Sequence, residues 1–278
     1  MNNKPIENSP DLWLSHLPKP DEHSNKFTRG HALIFGGYPL TGAARLAAKA
    51  AARAGAGLTT VAVPDIAFSI YASSLTSIMV KPISNLKDFE VILRDKRISA
   101  YLVGSGAGAS PETKHHAISV LHTKTPCVLD ADAISVFTDD IARLKSAISG
   151  PCVMTPHEGE FKRVFETDQD RLTNAINAAS ASGAIIVLKG SETIIAAPDG
   201  KLVINRHAPP TLATAGSGDV LAGIITGLLA QGMNPYLAAA AGVWLHGEAA
   251  NLFGAGLIAD DLPDMLPAVL TKLYTDKV

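Results

Sequence analysis

The chain has no uninterrupted apolar run long enough to span a bilayer. Stretches such as "AYLVGSGAGAS" and "LATAGSGDVLAGIITGLLAQG" are broken by glycine. The N-terminus, "MNNKPIENSPDLWLSHLPKPDEHSNKF", has no apolar h-region and does not read as a secretory signal. Aromatic residues are only 5% of the chain and the formal net charge is -2, so neither base-stacking surfaces nor a basic field points to nucleic acid. Two cysteines occur, Cys127 and Cys152, each in an apolar, strand-like context beside proline ("TPCVLD", "GPCVMT"). They read as buried small hydrophobes, not as a disulfide or metal pair, and this usage suggests a reducing compartment. His31, His122, His207 and His246 have no metal-ligand spacing with the cysteines, which argues against zinc. There is no GxxxxGKS/T loop, and "GAGAS" and "GGYPLTG" fall short of GxGxxG, so the usual P-loop and dinucleotide signatures are missing. These absences predict a cytoplasmic protein that engages neither membrane nor nucleic acid.

What the chain does have is apolar content: 47% hydrophobic against 18% charged over 278 residues, enough for a large core. Residues 1–28 are polar and proline-containing and read as an irregular arm. From residue 29 strands and helices alternate. "HALIFGG", "LTTVAVP", "AYLVGSG", "CVLDADA", "CVMTPHEGEF" and "AIIVLKG" read as strands. "TGAARLAAKAAARAGA", "SPETKHHAISVLHTK" and "RLTNAINAASASG" read as helices, and "TIIAAPDGKLVIN" as a hairpin on an Asp-Gly turn. The last sixty or so residues read as helices over 218–231, 235–251 and 261–274. This alternation predicts an α/β fold, a mostly parallel sheet with helices on both faces, built as one domain over 29–278. His115 and His116 fall on an amphipathic helix and are expected at the surface.

The polar residues fall at strand ends. Gly36-Gly37, Gly104-Ser105-Gly106, Asp130-Asp132, Thr155-Pro156-His157 and Lys189-Gly190 each follow an apolar strand. In open α/β sheets ligands bind at the carboxyl ends of strands, so five such ends predict one crevice. Against that background, "TLATAGSGDVLAGIITGLLAQG" reads as a glycine loop that opens a helix and carries one carboxylate, Asp219. The free N–H groups of Gly216 to Gly218 suit phosphate oxygens. A carboxylate beside them suits proton removal from an attacking hydroxyl. The simpler alternative makes Asp219 a first-turn acid that favours the helix dipole. In "TPHEGEF", His157 and Glu160 are either a pair close to substrate or metal, or a helix cap with no chemistry. In "VLKGSET", Lys189, Gly190, Ser191 and Thr193 suit nucleotide phosphates or sugar, or else form only the turn before the hairpin.

Taken in order, "GHALIFGGYPLTGAARLAAKAAARAGAGLTTVAVP", "LDADAIS", "TPHEGEF", "LKGSET" and "ATAGSGDVLAGIITGLLAQG" resemble the ADP/ATP-dependent NAD(P)H-hydrate dehydratases of the ribokinase-like superfamily. The resemblance runs from about Gly30 to the C-terminal helix. About thirty residues precede the first strand, so the chain resembles the stand-alone form without the fused epimerase domain. The resemblance implies repair of hydrated NADH and NADPH, with ADP or ATP as co-substrate, Mg2+ as cofactor and a separate epimerase as functional partner. Asp219 would be the base and contact the hydrate. Ala44, Gly106 and His157 would also contact the hydrate. Lys189, Gly190, Ser191, Glu192, Thr193, Gly216 and Gly218 would bind the nucleotide. Glu160 matches the acid of the superfamily's Asn-x-x-Glu motif, which organises Mg2+ through water, and His157 stands where that motif has Asn. Three departures stand out. Glu158 replaces a usual proline, "GGYPLTG" is one residue shorter than the common form, and "GSGAGAS" replaces a Gly-Pro-Gly loop.

The competing functions are a kinase for a hydroxylated vitamin precursor and a nucleotide-binding sensor without turnover. The alanine-rich faces in "RLAAKAAARAGA" and "LAAAAGVWLHGEAA" would permit close helix packing between subunits, so a homo-oligomer is expected.

Overall fold

The computed structural model describes residues 5–275. Among these, the strands are β1 (Ile6–Glu7), β2 (His31–Phe35), β3 (Leu58–Pro64), β4 (Met79–Ile83), β5 (Ala100–Val103), β6 (Cys127–Leu129), β7 (Cys152–Met154), β8 (Ile185–Leu188), β9 (Thr193–Ala196) and β10 (Leu202–Asn205). They form one sheet in the order β1-β10-β9-β8-β7-β6-β5-β2-β3-β4. Every neighbouring pair is parallel except the two made by β9, the first strand of the Asp-Gly hairpin. The central strands are buried along their whole length, as a sheet covered on both faces requires.

One face carries α1 (Thr41–Arg53), α9 (Ser217–Ala230), α10 (Pro235–Phe253) and α11 (Leu262–Thr275). A Cβ on Gly223 would lie 2.2 Å from the Ala47 carbonyl oxygen, and one on Gly227 2.5 Å from that of Ala51. Two helix backbones therefore touch along an alanine–glycine seam. The alanine-rich faces are consumed inside the subunit: Ala44, Ala47, Ala48 and Ala51 of α1 and Ala238 to Ala241 of α10 have no exposed surface. They cannot supply the contact between subunits expected from the sequence.

The other face carries α3 (Leu86–Leu93), α4 (Pro111–His122), α5 (Asp132–Ser135), α6 (Ile141–Ala147), α7 (Glu158–Val164) and α8 (Arg171–Ser182), packed with Phe89, Tyr101, Phe137 and Phe161. His116 is corrected here. Its ring stacks on Phe89 at 4.1 Å and its side chain is 14% exposed, so it belongs to this core, and burial, helped by His115, pushes its pKa down to about 4. His115 is exposed as expected.

Residues 65–98, which carry no clear sequence pattern, hold α2 (Phe68–Ser74), β4 and α3. Strand β4 contains Pro82 and sits at the sheet edge, where a missing donor costs nothing. At the opposite edge, the segment read as an irregular arm supplies β1 and buries Trp13 completely against Trp244. Asn8 secures it by donating to the Ala240 carbonyl at 2.8 Å and to Asn205 at 2.9 Å. Both cysteines are free and buried, facing each other across β6 and β7. Among the described residues no helix is long and apolar enough to cross a membrane.

Candidate active site

The carboxyl ends of β5, β6, β7 and β8 and the N-terminus of α9 converge. Gly216 takes φ +89°, a left-handed conformation that suits glycine, and turns the chain into α9. The Ser217 N–H reaches back to the Thr214 carbonyl at 3.4 Å, and the N–H groups that follow it face the crevice mouth with the positive end of the helix dipole. Asp219 lies in that first turn.

Burial is the main force that lifts the Asp219 pKa, to about 6, and Asp130 and Asp132 push the same way. Ser105 and the Lys189 ammonium pull it back. Ser105 Oγ is fully buried and has no hydrogen bond of ordinary geometry, so it stands ready beside the carboxylate.

Lys189 ties the strand ends together. Its Nζ donates to Asp130 Oδ1 at 3.2 Å and lies 3.9 Å from Glu160 Oε2. A Cβ on Gly218 would come within 3.3 Å of that ammonium, which places it against the first turn of α9. Burial alone would lower the lysine's pKa, but Asp130, Glu160 and Asp219 outweigh it and raise it, so the charge is kept. Asp130 is itself buried and accepts a 2.6 Å bond from Thr155 Oγ1.

Between Asp130 and Asp132, Ala131 adopts φ +47°, a strained turn for a residue with a Cβ. The turn aims the two acids differently. Asp130 goes into the Lys189 network, while Asp132 accepts from the Gly108 N–H at 2.8 Å and holds the glycine loop. A Cβ on Gly104 would lie 1.8 Å from the Asp130 carbonyl, so that loop must begin with glycine.

His157 and Glu160 form a complete capping box. His157 Nδ1 accepts from the N–H groups of Gly159 and Glu160 at 2.9 and 3.3 Å, and Glu160 Oε2 accepts from the His157 N–H at 2.8 Å. The capping alternative is thus realised in full. It does not remove the pair from the site, because His157 Nε2 faces Glu160 Oε1 at 3.4 Å and the His157 side chain is 56% exposed.

A cavity of about 590 Å³ opens beside this cluster. His157, Lys189, Gly190, Ser191, Thr193 and Gly218 supply its polar wall. Leu212, Leu221 and Val243 supply an apolar one. His246 lines it too, pushed down to about pKa 4 by burial and bonded to Ser217 Oγ at 3.1 Å, so it presents a neutral ring. A smaller cavity of about 140 Å³, lined by Gly36, Gly37, Tyr38 and Ala107, lies at the neighbouring strand ends.

Two residues proposed from the sequence stand apart. Ala44 has no exposed surface and is sealed in the core, so no atom of it is open to a ligand in this conformation. Glu192 is exposed and turns its carboxylate away from the cavity toward Arg206, at 2.7 Å. Gly106 is at the crevice, with its carbonyl pressed against Gly37. Ser105, Thr155 and Asp130 were visible only as strand-end polar residues without a role. His246 had no local signal, because its partner Ser217 lies 29 residues away.

Among the described residues no group of three or more His, Cys, Asp and Glu side chains is set to cage a metal. Mg2+ does not need one, since it takes one or two carboxylates together with waters and substrate phosphates. Asp130 and Glu160 lie on either side of Lys189 Nζ, at 3.2 and 3.9 Å, and two such carboxylates are the donor type Mg2+ takes together with waters and phosphates.

The bifunctional NAD(P)H-hydrate repair enzyme of Moorella thermoacetica is 40% identical over 93% of this chain and 52% of its own length. The chain therefore spans about half the length of such relatives. The ADP-dependent (S)-NAD(P)H-hydrate dehydratase of Neisseria meningitidis serogroup B is 35% identical over 87% of this chain and 85% of its own. The ADP/ATP-dependent NAD(P)H-hydrate dehydratase of Bacillus subtilis, co-crystallised with ATP and Mg2+, superposes with a TM-score of 0.85 at 29% identity, covering 98% of this chain and 100% of that one. The family model described as NAD(P)H-hydrate dehydratase matches residues 32–271, and the chain belongs to that family.

Proposed function

We propose that the protein uses ADP or ATP to return (6S)-hydrated NADH or NADPH to the reduced cofactor. The observation that carries this reading is Asp219: a half-buried carboxylate raised to about 6, in the first turn of α9, beside a lysine at the mouth of a nucleotide-sized cavity. A pKa near 6 leaves the group ionised at neutral pH, yet basic enough to take a hydroxyl proton.

In this reading the larger cavity takes the nucleotide, with its base against Leu212, Leu221 and Val243 and its phosphates toward Lys189, Ser191 and the α9 N–H groups. The hydrated ring lies over Asp219 between His157 and Gly106. Asp219 takes the proton of the ring hydroxyl as that oxygen bonds to the terminal phosphorus. The bond from that phosphorus to the bridging oxygen breaks, and the shortened nucleotide leaves. The ring nitrogen lone pair then expels inorganic phosphate, which leaves with the C–O electron pair, and transfer of the adjacent ring proton to that phosphate or to water restores the dihydronicotinamide. Lys189 and the α9 N–H groups stabilise the charge that spreads over the phosphoryl oxygens. Asp130, and Glu160 through water, would hold Mg2+ next to Lys189, where the ion would neutralise further phosphate charge.

The kinase alternative shares the base and the anion hole but ends in a stable phosphoester. Hydrated NADH mixed with protein, Mg2+ and ADP or ATP should recover reduced-nicotinamide absorbance, with one inorganic phosphate released per nucleotide consumed. A persistent phosphoester by phosphorus NMR without that recovery would overturn the reading.

A further inference from the structure

Arg171, at the start of α8, was singled out by neither motif nor spacing, yet it touches three separated parts of the site's rim. Its Nε donates to the Glu158 carboxylate. Its two terminal nitrogens donate to the backbone carbonyls of Glu192 at 3.0 Å and Lys189 at 3.4 Å. One planar guanidinium therefore spans the loop from its first residue to its fourth, which matches the fixed fork of its five donors.

Gly190 lies against the same guanidinium. It has no positive φ, so its conformation does not call for glycine. A Cβ there would instead lie 2.6 Å from an Arg171 terminal nitrogen. Glu158, the residue found where proline is usual, is the anion that holds the guanidinium in place. On the far side of the loop the Glu192 side chain is held at 2.7 Å by Arg206, which in turn is held by Glu7 of β1 at 2.6 Å. The loop is clamped from both sides and its polar groups face the larger cavity.

We infer that Arg171, held by Glu158, is a positioning residue that sets the 189–193 loop for the nucleotide phosphates. It does so through the loop's carbonyls and does not itself touch the ligand. This rests on the reading that the larger cavity takes the nucleotide. Arg171→Ala should raise KM for ADP or ATP about tenfold, the scale of a lost charge-assisted hydrogen bond, with kcat and the KM for the hydrate within about twofold. Arg171→Lys should not rescue, because an ammonium cannot reach both carbonyls and the carboxylate at once. Gly190→Ala should imitate the loss in part, and Glu158→Ala should have little further effect once Arg171 is gone.

Calorimetric titration of the folded wild-type protein with ADP separates the two layers. If wild type binds no nucleotide, the reading of the cavity falls. If wild type binds and Arg171→Ala binds equally well, the positioning role falls. Full rescue by Arg171→Lys would also overturn it, because Arg171 would then be acting as a simple charge on the ligand. A fall in Tm with unchanged nucleotide KM would show a role in stability alone and overturn it too.

Discussion

The two faces of the sheet are packed by opposite means. On the α1–α9 face the helices are so bare of side chain that carbonyl oxygens of one lie against glycines of the other. On the α3–α8 face, helices of 4 to 12 residues pack through rings: Phe89 of α3 against His116 of α4 and Phe35 of β2, and Phe161 against Phe165 at the end of α7. The first face has no room for an added atom, and the second depends on atoms that would leave a hole if removed. The chemistry follows this division. Asp219 stands on the helix whose backbone lies against that of α1, while the residues around the rim of its crevice (Asp132, His157, Glu160 and Arg171) sit at the starts of helices on the other face. A base must sit within a fraction of an ångström of its target, and close backbone packing provides that.

The largest effect should come from Asp219→Asn, which leaves the α1–α9 seam intact and removes only the proton acceptor. Turnover of the hydrate should fall by about 10²–10⁴, with Tm and nucleotide affinity retained. Near-wild-type turnover would detach the chemistry from α9. Phe89→Ala should cost about 3–5 kcal/mol of stability, read by denaturant titration, because it opens a cavity on the ring-packed face. Phe89 touches Phe35 and His116 of the smaller cavity but no member of the Asp219–Lys189 cluster, so the surviving folded protein should keep most of its kcat. Gly223→Ala tests the opposite face with one added methyl. The new Cβ would meet the Ala47 carbonyl, and the expected loss is about 1–3 kcal/mol, reduced in part by alanine's better helix propensity. Although smaller in stability, this change should depress kcat more than Phe89→Ala does, because it shifts α9. Equal kcat for the two variants would break the comparison.

The smallest effect concerns pH. The folded Asp219 pKa is raised, so its carboxylate is lost as pH falls through about 6, and kcat/KM for the hydrate should drop about tenfold per unit below that. Asp130→Asn removes a like charge from Asp219 and also frees Lys189 from a competing carboxylate. Both changes favour the ionised base, so the acidic limb should move to lower pH even as overall activity falls. A limb that stays in place would show that Asp130 does not help to set the value.

Much of this was legible in local sequence because it depends on local rules. Alternating apolar strands and capped helices announce a doubly covered parallel sheet. The Asp-Gly turn announces one of the two antiparallel pairings, and glycines after strands announce the crevice. The capping box at His157 is also a local pattern, and here the plain reading and the functional one hold together. Residues 65–98 were opaque because β4 is an exposed edge strand interrupted by proline, with no clean alternation to read.

What the sequence determined by itself was the order of the elements, the covered sheet and the placing of Asp219 in a glycine-led helix, since each depends on periodicity and backbone preference within a few residues. The tertiary structure alone decided how the alanine faces are used, why His116 is neutral and buried, and how Asp130, Lys189 and Glu160 share one charge centre. It also brought Arg171 across the nucleotide loop. Those outcomes join residues tens of positions apart, and the burial and charge that shape them exist only once the chain has closed around them.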